Sequence, residues 1–139
     1  REAIRQLIAS YGPAVDSHRL QAAAALWVED GEYAVAGFGA HTGRGALADL
    51  PAAPHHQQLL RDGCAHILSA PTIALHGDQA VALNYSVVLR HQGGAYLPER
   101  VAANRWELEK TEGQWQVRRR SNALLDGSAA AQQLFQAPA

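Results

Sequence analysis

The chain has 139 residues, 47% of them hydrophobic and 18% charged, with a formal net charge of −1. A chain of this length can form one domain with a hydrophobic core that needs no disulfide or metal ion for stability. The composition is typical of folded rather than disordered proteins. A charge so near neutral argues against nucleic-acid binding, which needs clustered Lys and Arg.

Cys64 is the only cysteine, so no intramolecular disulfide can form, and we expect a reducing, cytoplasmic environment. Free cysteine usually behaves as a small buried hydrophobe, and we expect that of Cys64. The longest apolar stretches, such as residues 22–28, are far shorter than the roughly 20 residues that span a bilayer, so no membrane partner is expected. Because the sequence starts at Arg1 and lacks methionine, we expect a few residues to precede it.

The first predicted element is an amphipathic helix over residues 1–11. Its apolar residues recur at helical spacing, at Ile4, Leu7, Ile8 and Tyr11. Gly12-Pro13 is expected to end or kink this helix, since proline lacks an N–H and disfavours helical geometry in the preceding residue. A second helical pattern runs from about residue 20 to Gly31, and Asp16 or Ser17 is a candidate for its N-cap.

The rest of the chain is mostly strand. A strand is predicted over residues 32–38, a turn over 40–45, and short helices over 46–50 and 54–62. Four long strand-like runs follow over residues 65–75, 79–91, 96–110 and 114–124, separated by good turn sequences. Residues 125–139 are expected to form a C-terminal tail that either frays or holds a short helix around 130–135.

Helices followed by hairpin-linked strands predict one α+β domain over residues 1–139, with its core in about 1–124. A long antiparallel sheet twists and curls, so its concave face needs a cover. The N-terminal helices are expected to supply that cover and to enclose an apolar pocket.

Three side chains are expected to meet in this pocket: the phenol of Tyr11, the carboxylate of Asp16 and the imidazole of His66. Taken singly, each has an ordinary explanation, as helix packing, an N-cap and a strand histidine. Their order along the chain favours a shared site.

That order resembles the SnoaL-like branch of the nuclear-transport-factor-2-like superfamily. The resemblance covers about residues 1–124 and rests on Tyr11, Asp16, Leu26-Trp27, Asp30-Gly31, Gly43-Arg44-Gly45, His66, Pro71-Thr72-Ile73, Gly77-Asp78-Gln79-Ala80, Tyr85 and Gly113-Gln114-Trp115. It implies a cone-shaped, curved, mainly antiparallel sheet wrapped around the N-terminal helices, with an internal apolar pocket. It also implies a homodimer formed through the outer face of the sheet. Relatives include polyketide cyclases, steroid isomerases, scytalone dehydratase and bile acid dehydratase, but also non-catalytic proteins, so fold alone does not fix function.

The dehydratase-type relatives imply catalytic positions at Tyr11, Asp16, Tyr33 and His66. The sequence departs from their pattern at Gly12-Pro13, where the helix is usually unbroken. It also has Arg19 where an acidic residue is common, and it offers Asn84 and Arg90 where some relatives carry an acid on a central strand.

These residues suit acid–base chemistry. His66 is predicted to act as general base and then acid, with Asp16 as its partner. Tyr11 and Tyr33 are predicted to donate hydrogen bonds to a substrate carbonyl. The set suits dehydration, isomerisation or cyclisation of an apolar oxygenated small molecule of polyketide, steroid, terpenoid or aromatic type, without a cofactor.

Further residues are candidates for contact with the substrate. Strand alternation favours an inward orientation of Asn104 and Trp106, although plain core packing explains Trp106 equally well. His56 is expected at the pocket mouth, and Tyr85 and Phe38 complete the predicted substrate-binding set.

Other chemistries have less support in the sequence. No metal site is expected, because His55 and His56 are adjacent and point about 100° apart on a helix, and no Cys pair or i, i+4 His pair is present. Two alternatives stay open: a non-catalytic small-molecule-binding or subunit-like module, and an epoxide hydrolase, for which the second carboxylate is not evident. A contact between Asp16 and His66 would favour the acid–base enzyme.

Overall fold

The fold is known from a computed structural model that describes residues 1–51 and 53–136. Five helices are present in the described residues: α1 (Glu2–Asp16), α2 (Leu20–Ala24), α3 (Arg44–Asp49), α4 (Pro54–Asp62) and α5 (Ala129–Leu134). Seven strands accompany them: β1 (Trp27–Val35), β2 (Gly39–Thr42), β3 (Cys64–Leu68), β4 (Thr72–His76), β5 (Gln79–Gln92), β6 (Ala95–Thr111) and β7 (Gln114–Leu124).

The strands form one curved, unclosed sheet in the order β2-β1-β7-β6-β5-β3, with β4 also paired to β5. All of these pairings are antiparallel except that of β1 with β7, which is parallel. The predicted α+β class with a mainly antiparallel sheet is therefore confirmed.

One face of the sheet, which we call the inner face, packs against α1 and α2. Apolar side chains from that face join Ile4, Ile8 and Val15 of α1 in the main core. Ala82 pairs with Trp106, and Trp106 pairs with Arg120 on the next strand, so these three side chains share the inner face. The opposite, outer face is partly covered by α5, which packs on Ala103 and Ala123.

Helix α1 does not end at Gly12-Pro13. It continues through Pro13 to Asp16, so Asp16 is the last residue of α1. The N-cap position of α2 is Arg19, which makes no side-chain capping bond. The interpretation of Asp16 as an N-cap is therefore wrong, and its carboxylate is free for another partner.

Helix α2 is shorter than predicted. Residues 27–30 belong to β1, because Trp27 pairs with Val117 of β7 and is buried in the core. The helical spacing of Trp27 from Ala23 reflects a shared core and not a shared helix. Tertiary pairing outweighs a local pattern of this kind.

Two other predicted elements differ from the structure. Within the predicted turn over residues 40–45, the segment up to Thr42 pairs with β1 as part of strand β2. The predicted strand over residues 65–75 is two strands, β3 and β4, with Pro71 in the interruption between them. Proline cannot donate to a strand ladder, which accounts for the interruption.

The remaining boundaries agree closely with prediction. Helix α4 spans residues 54–62, and β7 spans residues 114–124, as predicted. The tail helix α5 covers all but the last residue of the predicted 130–135 segment, and residues 137–139 of the predicted tail lie outside the described residues. None of the described helices is long and apolar enough to cross a membrane.

Candidate functional site

The end of α1 lies directly on strand β3. Gly12 makes this possible, because a Cβ at residue 12 would overlap the backbone carbonyl oxygen of His66. The departure from the usual helical sequence at Gly12 is thus a packing requirement. This close approach brings Asp16, four residues further along α1, beside the start of β3.

Asp16 and His66 are hydrogen-bonded through two separate contacts. His66 Nδ1 lies 2.6 Å from Asp16 Oδ1, and the backbone N–H of His66 donates to Asp16 Oδ2 at 2.9 Å. The His66 side chain is only 9% exposed. Both oxygens of the carboxylate are used, so the imidazole ring is held in position and in orientation.

The thiol of Cys64 completes the surroundings of Asp16, to which it donates at 3.6 Å. Burial opposes ionisation of Asp16, but the hydrogen bonds from His66 outweigh it and lower the pKa of the carboxyl below 3.8. Burial and the Asp16 charge raise the pKa of the Cys64 thiol to about 12. Cys64 is therefore a thiol at neutral pH, which gives no support to a nucleophilic role.

Helix α4 places a second imidazole against the pair. The ring of His56 stacks on that of His66, with centroids 5.1 Å apart and planes 14° from parallel. His56 Nδ1 is buried with no hydrogen-bond partner among the described residues. Burial, together with the neighbouring His66 and His55, lowers the pKa of His56 to about 4, so His56 is neutral at pH 7.

Tyr11 lies in the core between the helices and the inner face. Its ring makes edge contacts with Trp27 and Trp106, at centroid distances of 5.8 Å and 6.4 Å. Burial is the main reason that the pKa of Tyr11 rises to about 12. The Tyr33 phenol adds to this rise, and the Arg120 guanidinium opposes it.

Tyr33 reaches the same region from β1. Its ring stacks on Trp27 at 5.9 Å, and the guanidinium carbon of Arg120 lies 4.6 Å from the ring centroid. The structure therefore brings the two predicted tyrosines to one residue, Arg120, which the sequence did not single out.

Arg120 is the most informative residue that sequence reasoning missed. It is 3% exposed, and its guanidinium also packs over Tyr11 and Trp106, at 4.8 Å and 4.4 Å from their ring centroids. Strand alternation within Arg118-Arg119-Arg120 predicts only that the middle residue faces away from its two neighbours. The inward orientation of Arg120 follows only from its pairing with Trp106.

The predicted substrate-binding residues lie in different parts of the structure and differ in burial. Asn104 and Trp106 are buried on the inner face, where the Trp106 indole N–H donates to Asn84 Oδ1 at 2.9 Å. Phe38 is 72% exposed in the β1–β2 turn, and its ring lies 5.8 Å from the guanidinium carbon of Arg100. Contact of these residues with a substrate stays a prediction.

Tyr85 is on the wrong face for the predicted role. It is 53% exposed on the outer face, where its ring meets that of Phe135 at 5.2 Å. The inner positions of β5 are occupied instead by small or polar residues, namely Ala80, Ala82, Asn84 and Ser86. The more apolar face of this strand is the outer one, which explains the error.

Two surface cavities lie away from the Asp16–His66 pair. One, of about 240 Å³, is lined by residues 98–101 and 124–126. The other, of about 530 Å³, lies between the β1–β2 turn, β7 and α5. Neither is lined by Asp16 or His66, so the apolar pocket expected at the pair stays a prediction.

Asp16, Cys64 and His66 also satisfy the distance condition for a metal site, since one ligand atom of each lies within 4.8 Å of the others. The 2.6 Å contact between Asp16 and His66 is, however, a hydrogen bond that needs a proton where an ion would sit. The cluster therefore fits proton transfer better than metal binding.

Comparison with known proteins found matches in family and in fold. The SnoaL-like domain model matches residues 1–121. An NTF2-like protein with a cystatin-like fold from Novosphingobium aromaticivorans is 51% identical, with a TM-score of 0.96, and the match covers 99% of this chain and 89% of that chain. No match was found among curated proteins.

More distant solved structures share the fold. ActVI-ORFA from Streptomyces coelicolor is 17% identical, with a TM-score of 0.76 over 91% of this chain and 98% of that chain. A protein from Catenulispora acidiphila, solved in complex with S-DNPA, is 17% identical, with a TM-score of 0.78 over 93% of this chain and 96% of that chain.

Proposed function

The chain belongs to the SnoaL-like domain family, and from this premise we propose that it is a cofactor-independent acid–base enzyme. Its substrate is an apolar oxygenated small molecule, and its reaction is a dehydration, an isomerisation or a cyclisation. The observation that supports this proposal most strongly is the double hydrogen bond between Asp16 and His66.

Asp16 determines which nitrogen of His66 acts as the base. An ionised carboxylate only accepts hydrogen bonds, so the short contact requires a proton on His66 Nδ1. The other ring nitrogen, Nε2, then has a free lone pair in the neutral ring. Nε2 can remove a proton from a carbon beside a carbonyl and later return it.

The same carboxylate stabilises the intermediate state. When Nε2 takes a proton, the imidazolium carries a positive charge next to the negative charge of Asp16, 2.6 Å away. The hydrogen bond from the His66 backbone N–H keeps Asp16 from rotating as this charge develops.

Tyr11 supplies a neutral hydrogen-bond donor. With a pKa of about 12 it keeps its proton at neutral pH, and it can donate to a substrate oxygen as negative charge builds there. Tyr33, on strand β1, is assigned the same role. In a dry interior such donors typically lower a barrier by a few kcal/mol.

The structural neighbour solved in complex with S-DNPA supports a small-molecule site in this fold. A non-catalytic binding module would have no use for a nearly buried imidazole held by a carboxylate. That contrast is why the enzyme is favoured over the module.

Deuterium exchange into an apolar ketone tests the proposal. In D₂O the protein should accelerate exchange of the protons beside the carbonyl of 2-tetralone. His66→Ala and Asp16→Asn should each lower this rate by about 10²-fold or more, a typical contribution of general acid–base catalysis. His76→Ala, at the exposed end of β4, is the matched control and should leave the rate unchanged.

Equal exchange rates in the wild type and in His66→Ala would contradict the proposal. With circular dichroism showing that both proteins are folded, that outcome would favour the binding module.

A further inference from the structure

We propose that Arg120 and Arg100 form a carboxylate-binding subsite on the inner face, so that the ligand of this protein is an apolar organic acid. The inference deepens the proposed function and rests on it only in placing this subsite beside the Asp16–His66 pair. It names the class of substrate that the acid–base site would receive.

The first observation is a buried cation with unused donors. Arg120 is 3% exposed and donates from Nε to Asn104 Oδ1 at 2.9 Å. Its Nη1 is buried without a hydrogen-bond partner among the described residues. In the described part of the chain, no carboxylate lies within 4.0 Å of its guanidinium. An unpaired buried charge is costly, and a bound anion would remove that cost.

Aromatic contacts compensate for only part of this charge. The faces of Tyr11, Tyr33 and Trp106 surround the guanidinium at 4.4–4.8 Å. Cation–π contacts stabilise a charge above a ring face, but they supply no acceptor to in-plane N–H groups, and those of Arg120 Nη1 have none among the described residues. Those in-plane groups are the ones that bind a carboxylate in bidentate geometry.

The second observation is a further guanidinium on the same network. Arg100 donates from Nε and Nη2 to Asn122 Oδ1, at 3.1 Å and 2.7 Å. Asn122 Nδ2 donates in turn to Asn104 Oδ1 at 2.8 Å, the oxygen that Arg120 also uses. The Asn104 amide N–H donates to Ser86 Oγ at 2.9 Å, so both guanidinium groups depend on two amide oxygens, and Asn104 Oδ1 also accepts from Asn122.

These two arginines differ from others of the chain. Arg90, Arg118 and Arg119 each lie within 4.0 Å of a carboxylate. Arg100 has no such partner among the described residues, and the charge of Arg120 acts on it, contributing after burial to a lowered pKa of its guanidinium. Arg100 and Arg120 are therefore two arginines that lack a carboxylate partner among the described residues and lie on one hydrogen-bond network.

The geometry also connects the subsite with the surface and with the proposed catalytic pair. Arg100 is half-buried, and its guanidinium carbon lies 5.8 Å from the centroid of the exposed Phe38 ring, so this end of the subsite is near the surface. At the other end, the guanidinium carbon of Arg120 lies 4.8 Å from the centroid of the Tyr11 ring, and Tyr11 is on α1, the helix that ends at Asp16. A ligand held by its carboxylate would extend its apolar body along Tyr11 toward His66.

A matched pair of ligands tests the inference. Binding of 2-naphthoate and of its neutral counterpart 2-naphthamide is measured by isothermal titration calorimetry to the whole chain. Because charge-assisted bidentate hydrogen bonds are about twice as strong as neutral ones, we expect the wild type to bind the naphthoate about tenfold more tightly or better.

Variants show which arginine causes the tighter binding of the naphthoate. Arg120→Met and Arg100→Met should each reduce the ratio of the two dissociation constants, Arg120→Met to about one. Arg119→Met is the control, since it removes the same charge from the adjacent residue, which faces outward to Glu32. It should keep the wild-type ratio.

Equal binding of both compounds by the wild type, or a naphthoate preference retained in both Arg100→Met and Arg120→Met, would overturn the inference. If Arg120→Met does not fold, the ratio of the two dissociation constants in the wild type and in Arg100→Met, where the side chain is only half-buried, still tests the inference. His66→Ala should keep the naphthoate preference, so failure of the catalytic proposal and failure of this one give different results.

Discussion

At the scale of single residues, Asp16 shows how one side chain can have two chemically reasonable roles. An aspartate between two helical patterns is a good N-cap candidate, yet the structure extends α1 to Asp16 and turns its carboxylate onto His66. The contact between Asp16 and His66 was expected from their order along the chain. The second hydrogen bond, from the His66 backbone, depends on the packing of α1 against β3 and could not be expected.

The inward orientation of Arg120 could not be predicted from the sequence. Arg120 is the last of three consecutive arginines, Arg118-Arg119-Arg120, and alternation alone cannot say which of the three face inward. A register shift between β6 and β7 at Glu107/Leu108 changes the count along the strand. Only the register fixes Arg120 opposite Trp106.

His56 gives a pH-dependent prediction. Its pKa is about 4 in the folded protein against an ordinary 6.5, so between these values the unfolded chain binds a proton that the folded chain does not. Stability should therefore fall as pH decreases from about 6.5 toward 4. His56→Phe keeps an aromatic ring against His66 and should lose less stability over that range than the wild type.

The measurement is the free energy of unfolding by urea at pH 7 and at pH 5, for the wild type, His56→Phe and the exposed-site control His76→Phe. Identical pH dependence in the wild type and His56→Phe would show that His56 protonates freely in the folded state.

At the scale of elements, the long strands and α4 were well predicted because turn residues delimit them clearly. Some errors fall where a long-range contact overrides a local pattern, as in the segment from Trp27, which pairs with β7. The most consequential junction, between α1 and β3, depends on a single glycine.

Gly12→Ala tests that junction. Since the added Cβ would overlap the backbone carbonyl oxygen of His66, α1 must move away from β3. We expect a loss of about 1–3 kcal/mol in the free energy of unfolding, as in other overpacked sites. The rate of ketone exchange should also fall, because Asp16 would no longer be aligned with His66.

Gly45→Ala is the matched control for this change. Gly45 lies in the first turn of α3, and a Cβ there has no neighbour within 4 Å. This substitution should leave stability unchanged or raise it by up to about 1 kcal/mol through helix propensity. Equal stability of the two variants would contradict the proposed packing role of Gly12.

At the scale of the whole molecule, the outer face carries exposed apolar side chains, among them Ile67 (50% exposed) and Tyr85 (53% exposed). The homodimer implied by the family resemblance would use this face, and it stays a prediction. We expect light scattering to give twice the monomer mass for the wild type and the monomer mass for Ile67→Glu.

Phe38→Glu introduces the same charge at an exposed aromatic residue in the β1–β2 turn. It should keep the wild-type mass if the outer face is the interface. A monomeric wild type, or an unchanged mass for Ile67→Glu, would argue against a dimer through this face.

The most direct test of the central claim is chemical rescue of the missing imidazole. In His66→Ala the backbone N–H that bonds Asp16 is kept while the ring is lost. We predict that added imidazole restores deuterium exchange into 2-tetralone at least about tenfold, because free imidazole can occupy the vacated position beside Asp16 and carry the proton. The same imidazole should do little for the double variant His66→Ala/Asp16→Asn. Equal effects on the two variants, or no deficit in His66→Ala to begin with, would contradict His66 as the acid–base residue.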